Sequence, residues 1–198
     1  MISVLILAAG QSRRMRGLDK LMEPVDGQAL LRRQAERAIA TQCSVFIAVP
    51  ALNHPRVGCL RGLDVTLIPV PDAAEGMGAS LRTAMDELPA SDAIMVTLAD
   101  LAALETTDFE RVIAARDAAP DAVVWRGATA SGTPGHPILF DGSLRPAFSH
   151  LTGDTGGAEI VKAHADQVHL VPLPGDRALL DLDTPEDWAA WRARRTPQ

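Results

Sequence analysis

Two rhythms of apolar and polar positions run along this chain. Ile2–Leu7 is apolar on both faces, as the central strand of a parallel sheet is. Ser44–Val49 and Ala93–Leu98 read as further buried strands, and Asp64–Pro69 as another beyond the irregular stretch 50–62. Between the first two, residues 28–41 carry Leu30, Leu31, Ala35, Ala38 and Ile39 at a helical period, leaving Arg32, Arg33 and Arg37 on a solvated face. The same rhythm predicts helices over residues 79–88, 107–118 and 158–165. Residues 122–125, the stretch up to Phe140, 168–173 and 179–182 read as later strands. Thr184 as cap, Pro185 at the first helical position and Asp187 three beyond the cap open a last helix, which carries Trp188 and Trp191 as packing residues. The alternation predicts an α/β fold, a single domain over residues 1–198. It has three α/β/α layers, with a mostly parallel central sheet and right-handed crossovers.

Ligands of such sheets bind beyond the carboxyl ends of the strands. The first exit, Leu7 to Lys20, contains Gly10, where the backbone can turn sharply and approach a ligand, and successive N–H groups that form an anion-binding hollow. Arg13, Arg14, Arg16 and Lys20 place four cations within eight residues of a chain with net charge −6, which points to a local anionic ligand. A Walker loop is excluded, because Lys20 stands between Asp19 and Leu21; the G-x-G-x-x-G spacing of dinucleotide folds is also missing. After the third strand, Gly76, Met77 and Gly78 lead into a helix with Ser80 as its cap or as a ligand contact. The fourth strand exits into Asp100, a carboxylate suited to Mg²⁺, which takes one or two carboxylates with phosphate oxygens and water. Asp181 and Asp183 occupy a later exit.

Composition removes several classes of function. A net acidic chain with 4% aromatics and no Tyr is a poor nucleic-acid binder. Cys43 and Cys59 lack metal-site spacing and read as reduced core thiols. The apolar start is too short for a signal peptide, and no run is long enough to span a bilayer, so a cytoplasmic location is expected.

Leu7-Ala8-Ala9-Gly10 through Arg14-Met15 to Lys20 resembles the L-A-[AG]-G-x-x-x-R-M-G-x-x-K signature of nucleotidyltransferases with a Rossmann-like, nucleotide-diphospho-sugar transferase type of fold, most closely the molybdenum-cofactor branch. Arg16 stands where that pattern has glycine, and Gly17 follows it. Further segments match: Gly76-Met77-Gly78 with Ser80 for G-M-x-x-S-L, Leu98-Ala99-Asp100 for L-A-D-M-P without the proline, and residues 132–137 for G-x-P-G-H-P. Gly153-Asp154 with Gly156 matches G-D-x-G-x-R, with Ala158 at the arginine position. The resemblance implies catalytic roles for Arg14, Lys20 and Asp100, and nucleotide contacts from Ala8, Ala9, Gly10, Gln11, Ser12, Arg13, Gly76, Met77, Gly78 and Ser80. It also implies acceptor contacts from Gly132, Gly135, His136 and Asp154, and Mg²⁺ on Asp100 and Asp183. Ala9 in place of a glycine favours CTP, with CMP transferred to a molybdopterin-type acceptor, and a molybdoenzyme or its chaperone as a partner. The alternatives are transfer to another phosphorylated metabolite, such as a sugar or alcohol phosphate, and a non-catalytic nucleotide- or cofactor-binding delivery protein.

Overall fold

The computed structural model describes residues 1–153 and 156–195. Its strands are β1 (Ile2–Leu7), β2 (Pro24–Val25), β3 (Gln28–Ala29), β4 (Ser44–Val49), β5 (Thr66–Pro69), β6 (Ala93–Leu98), β7 (Val124–Ala128), β8 (Pro134–Asp141) and β9 (Val168–Pro172). The helices are α1 (Leu30–Ile39), α2 (Pro55–Cys59), α3 (Met77–Glu87), α4 (Thr106–Ala118), α5 (Ala158–Ala163) and α6 (Pro185–Arg195). Seven strands form one sheet in the order β5-β4-β1-β6-β8-β7-β9, and β2 and β3 form a small separate hairpin. The sheet is mostly parallel: β8 runs against both of its neighbours and the other strands share one direction. The reversal follows from chain length, since residues 129–133 are enough for a hairpin and too few for a crossover.

Strand periodicity divides the core into two layers. Val4, Ile6, Ile47, Met95 and Trp125 face Leu30, Leu31, Phe109 and Trp188 on one side. Leu5, Phe46, Val96 and Ile138 face Leu81, Met85, Phe148 and Ile160 on the other. Helices therefore cover both faces, as the alternation requires. Trp188, 1% exposed, packs edge-to-face on Trp191 with ring centroids 5.8 Å apart. Burial of such a side chain contributes about 1.5–3 kcal/mol. This packing holds α6, whose start is fixed by a reciprocal cap: Asp187 N–H donates to Thr184 Oγ1 at 3.1 Å, and Thr184 N–H to Asp187 Oδ2 at 2.9 Å. Asp183 immediately precedes that cap and inherits its position. Among the described residues no helix is long and apolar enough to cross a membrane.

Several sequence expectations change. Residues 50–62 contain α2, capped by His54 Nδ1, which accepts from Arg56 N–H. Residues 179–182 form a turn and not a strand: Leu179 and Leu180 N–H both donate back to Asp176 O, and Ala178 O accepts from His136 N–H instead of joining a ladder. Arg37 is not on a solvated face. It is buried, donates to the Ala102 and Leu104 carbonyls and pairs with Glu105, because the helix face it occupies meets the loop after β6. Ser80 lies inside α3, not at its start, and Gly76 is the capping residue.

Candidate active site

β1 and β6 are neighbours in register, with Leu7 opposite Leu98, so the loops that leave them emerge side by side. The loop after β1 closes a short 3-10 turn, Arg13–Met15, with Ser12 and Arg16 in left-handed conformation at φ 49° and 53°. Gly10 is not in that region, so the sharp turns fall at Ser12 and at Arg16-Gly17. A Cβ built on Gly10 meets nothing within 4 Å, which leaves approach by a ligand as the reason for a glycine there. Met15, 1% exposed, sinks into the core and anchors the loop from beneath.

A second anchor is invisible in the local sequence. Arg56 is 2% exposed and reaches from α2 under the loop. Its Nε and Nη2 donate to the two carboxylate oxygens of Asp19 at 2.7 and 2.8 Å, its Nη1 to Ala8 O at 2.6 Å, and Nη2 also to Ser12 Oγ at 3.2 Å. Burial pushes the Asp19 carboxyl up, but the hydrogen bond and charge of Arg56 outweigh it and hold the group below its ordinary value. The available signal is Asp19 itself, an acid within a basic motif that needs a partner.

Lys20, the residue after Asp19, projects into the cleft. Its Nζ donates to Asp100 Oδ2 and to Asp183 Oδ1, both at 2.5 Å, so these two oxygens lie within twice that length of each other. Arg14 Nη1 donates to the other Asp183 oxygen at 2.7 Å. Burial opposes a charge on Lys20, but Asp100, with Asp183 behind it, holds the ammonium above the ordinary lysine value. Burial also raises Asp183, and Lys20 and then Arg14 more than reverse it. Asp181, next to these groups, is raised by burial and then by the charges of Asp183 and Asp100.

The cleft around this cluster has a volume of about 470 Å³. Ala9, Gly10, Gln11, Ser12, Arg13, Arg14 and Lys20 line it from one side, Gly76, Met77 and Ser80 from another, with Asp100 and Asp183 between. Ala8 and Gly78 do not line it. Ala8 is buried, and Gly78 is a seam residue: its N–H donates to Gly153 O, and a Cβ there would come within 2.9 Å of Thr152 and Gly153 backbone. Arg16 turns away and pairs with Glu186 at 2.8 Å. Beyond the loop lies a second hollow of about 540 Å³, walled by Pro50, His54, Arg56 and Pro71 and sharing Ala9 to Arg13 with the first.

The acceptor-side residues divide. His136 lies in a smaller pocket of about 100 Å³ that shares Leu7 and Met77 with the cleft. Burial lowers its pKa to about 4, so it is a neutral imidazole at physiological pH, with Nδ1 3.4 Å from Val96 O. Gly135 is a packing glycine, since a Cβ would stand 2.1 Å from Ala178 O. Gly132 occupies the exposed β7–β8 turn at φ 88°. Asp154 lies outside the described residues.

Asp100 Oδ1 is buried without a hydrogen-bond partner. A free carboxylate oxygen beside a second carboxylate suits a hard divalent cation whose remaining ligands are phosphate oxygens and water. Among the described residues no cluster of three or more potential metal ligands occurs, so a cation held here needs a substrate to complete its shell.

A strand-exit loop pinned from below, with its lysine between Asp100 after β6 and Asp183 before α6, coincides with a family match: residues 4–168 fit the MobA-like NTP transferase domain. The chain belongs to that family. This nucleotidyltransferase is 26% identical over 192 residues to nicotine blue oxidoreductase of Paenarthrobacter nicotinovorans, with 93% of each chain covered. Rv0371c from Mycobacterium tuberculosis H37Rv superposes with a TM-score of 0.81 at 23% identity over 96% of both chains, and has also been solved with manganese. CMP:2-keto-3-deoxy-manno-octonic acid synthetase, solved with CTP, superposes with a TM-score of 0.75 at 14% identity over 98% of this chain and 97% of its own.

Proposed function

We propose that this nucleotidyltransferase binds CTP with a divalent cation, Mg²⁺, in the cleft and transfers CMP to a phosphorylated acceptor of the molybdopterin type, releasing pyrophosphate. The observation that carries the reading is the Lys20 ammonium held between Asp100 and Asp183, with Arg14 on the far oxygen. Without substrate these charges neutralise one another. A triphosphate offers Arg14 and Lys20 better partners and frees both carboxylates for a cation, which when bound would neutralise phosphate charge. An acceptor phosphate oxygen attacks the α-phosphorus, a P–O bond forms, and the bond from that phosphorus to the bridging oxygen breaks. Lys20, Arg14 and the loop N–H groups take up the charge on the leaving pyrophosphate. Such catalysis is positioning and electrostatic stabilisation, and an anionic acceptor requires no general base.

Support for CTP comes from Ala9, which lines the cleft at the position where the signature also allows glycine, and from the CTP complex of the synthetase. The acceptor rests on the resemblance around His136. One observation favours a second reading: the relative matched over 93% of the chain is named an oxidoreductase, so the cleft would hold a nucleotide-bearing redox cofactor.

The deciding experiment measures pyrophosphate release with each triphosphate, Mg²⁺ and molybdenum cofactor, beside pyridine-nucleotide binding. CTP should be fastest, and Asp100→Asn should abolish turnover with the fold intact. Equal rates with all four triphosphates would defeat the base assignment, and pyridine-nucleotide binding without pyrophosphate release would select the redox reading.

A further inference from the structure

β7 carries a charge where its pattern calls for an apolar side chain. Val124 and Trp125 bury on opposite faces, so Arg126 falls on the face of Val124, among Ile138, Phe140, Phe148 and Val161. One donor of this part-buried guanidinium is used: Nε donates to Gly135 O at 2.9 Å. Among the described residues no carboxylate pairs with it, although fourteen ion pairs engage other groups. Burial alone lowers its pKa, with no neighbouring acid to offset the loss of hydration. Partial desolvation of a cation without a counter-charge carries a cost that a bound anion would offset.

The guanidinium lines the pocket of about 100 Å³ together with the neutral His136. His136 feels the charges of both Arg126 and Asp100, which places the pocket beside the reacting cluster. Its other walls are apolar, and its volume suits a single ring or a branched chain of a few carbons. Ala158, the position at which the signature has arginine, lines the same pocket and leaves the space open.

We infer that Arg126 is the anion anchor of an acceptor subsite, which takes a compact apolar group bearing a phosphate or carboxylate. The assignment rests on the nucleotidyltransferase reading and narrows its acceptor to one with a compact, singly anchored portion that enters this pocket. Arg126 donates to the anion with its two Nη groups, and the phenylalanines cover the apolar body.

The test is calorimetry on the full chain saturated with Mg²⁺ and a non-hydrolysable CTP analogue, titrated with phenyl phosphate, benzoate, inorganic phosphate and phenol. Phenyl phosphate or benzoate should bind at least tenfold tighter than inorganic phosphate or phenol; the stronger of the two identifies the anion. Arg126→Ala should remove that advantage, Arg126→Lys should keep part of it, and Ala158→Leu should remove it by filling the pocket with the guanidinium intact. All three variants should bind the CTP analogue like the parent. Unchanged phenyl phosphate and benzoate affinity in Arg126→Ala overturns the proposal, as does competition of these probes with the CTP analogue. If Arg126→Ala fails to fold, Arg126→Lys and Ala158→Leu decide. Failure of the parent to bind the CTP analogue counts against the nucleotidyltransferase reading itself, a separate result.

Discussion

The two halves of the ligand edge treat charge in opposite ways. On the β1 side, Arg14, Lys20, Asp100, Asp183, Asp19 and Arg56 are all paired in the absence of ligand. On the β8–β7 side, His136 is uncharged and Arg126 is charged without an acidic partner among the described residues. The first half is a set of ion pairs, which on the proposed reading an incoming phosphate would exchange. The second is an apolar wall with one partly desolvated cation, to which the inferred subsite assigns specificity. On the proposed reading, the first half would meet the triphosphate and the second would tell acceptors apart.

The largest effect expected from breaking this contrast is at Lys20. Lys20→Ala leaves Asp100 and Asp183 facing each other, and should weaken triphosphate binding by roughly ten- to a hundredfold, the about 1.5–3 kcal/mol of a charge-assisted contact. Equilibrium binding of the CTP analogue measures this, and an unchanged constant would remove Lys20 from the site. Next come two glycines. Gly135→Ala drives a methyl against Ala178 O, 2.1 Å away, and should cost about 2 kcal/mol of stability by denaturant titration. Gly10→Ala meets open space, so it should leave stability within about 0.5 kcal/mol and weaken nucleotide binding alone. The reverse outcome would exchange the structural and ligand-facing roles of the two positions.

Titration separates the halves on a smaller scale. The unfolded chain protonates His136 near its ordinary 6.5, whereas the folded protein resists protonation down to about 4. Stability therefore falls as pH drops through that window, by at most about 1.4 kcal/mol per pH unit for this group, and is insensitive to it above. The depressed Asp183 acts in the other window, since its contribution is present above 3.8 and lost below as the folded carboxylate protonates. His136→Gln should flatten the profile between 6.5 and 4, and an unaltered slope would show that the ring is hydrated. The smallest effect is at Arg16. Its left-handed backbone, φ 53°, favours glycine, while its exposed pair with Glu186 is worth little. Arg16→Gly should raise stability by about 0.5 kcal/mol; a loss above about 1 kcal/mol would mean the ion pair outweighs the backbone strain.

The strand–helix alternation and the β1, β4 and β6 boundaries followed from periodicity, because a strand buried on both faces leaves an unambiguous apolar run. Gly10, Lys20 and Asp100 reach one edge for the same reason, since strand exits are fixed by the strands; Asp183, expected after a strand over 179–182, reaches it beside the cap of α6 instead. What periodicity could not reveal was long-range. Arg37 looked solvated because its helix face is polar by local rhythm, yet the loop after β6 lies over it. Arg56 lies in the stretch 50–62, read as irregular and given no role, and only the fold brings it beneath Asp19. Residues 179–182 have strand-like composition, but their hydrogen bonds fall back on Asp176. Arg126 is one charge in an apolar strand, and its setting depends on β8 and α5 together.

Lys20 grips one carboxylate 80 residues further along the chain and another 163 residues further along. That second contact joins the loop after β1 to the cap of α6, so loosening the Trp188 packing that seats the helix also draws Asp183 away from Lys20.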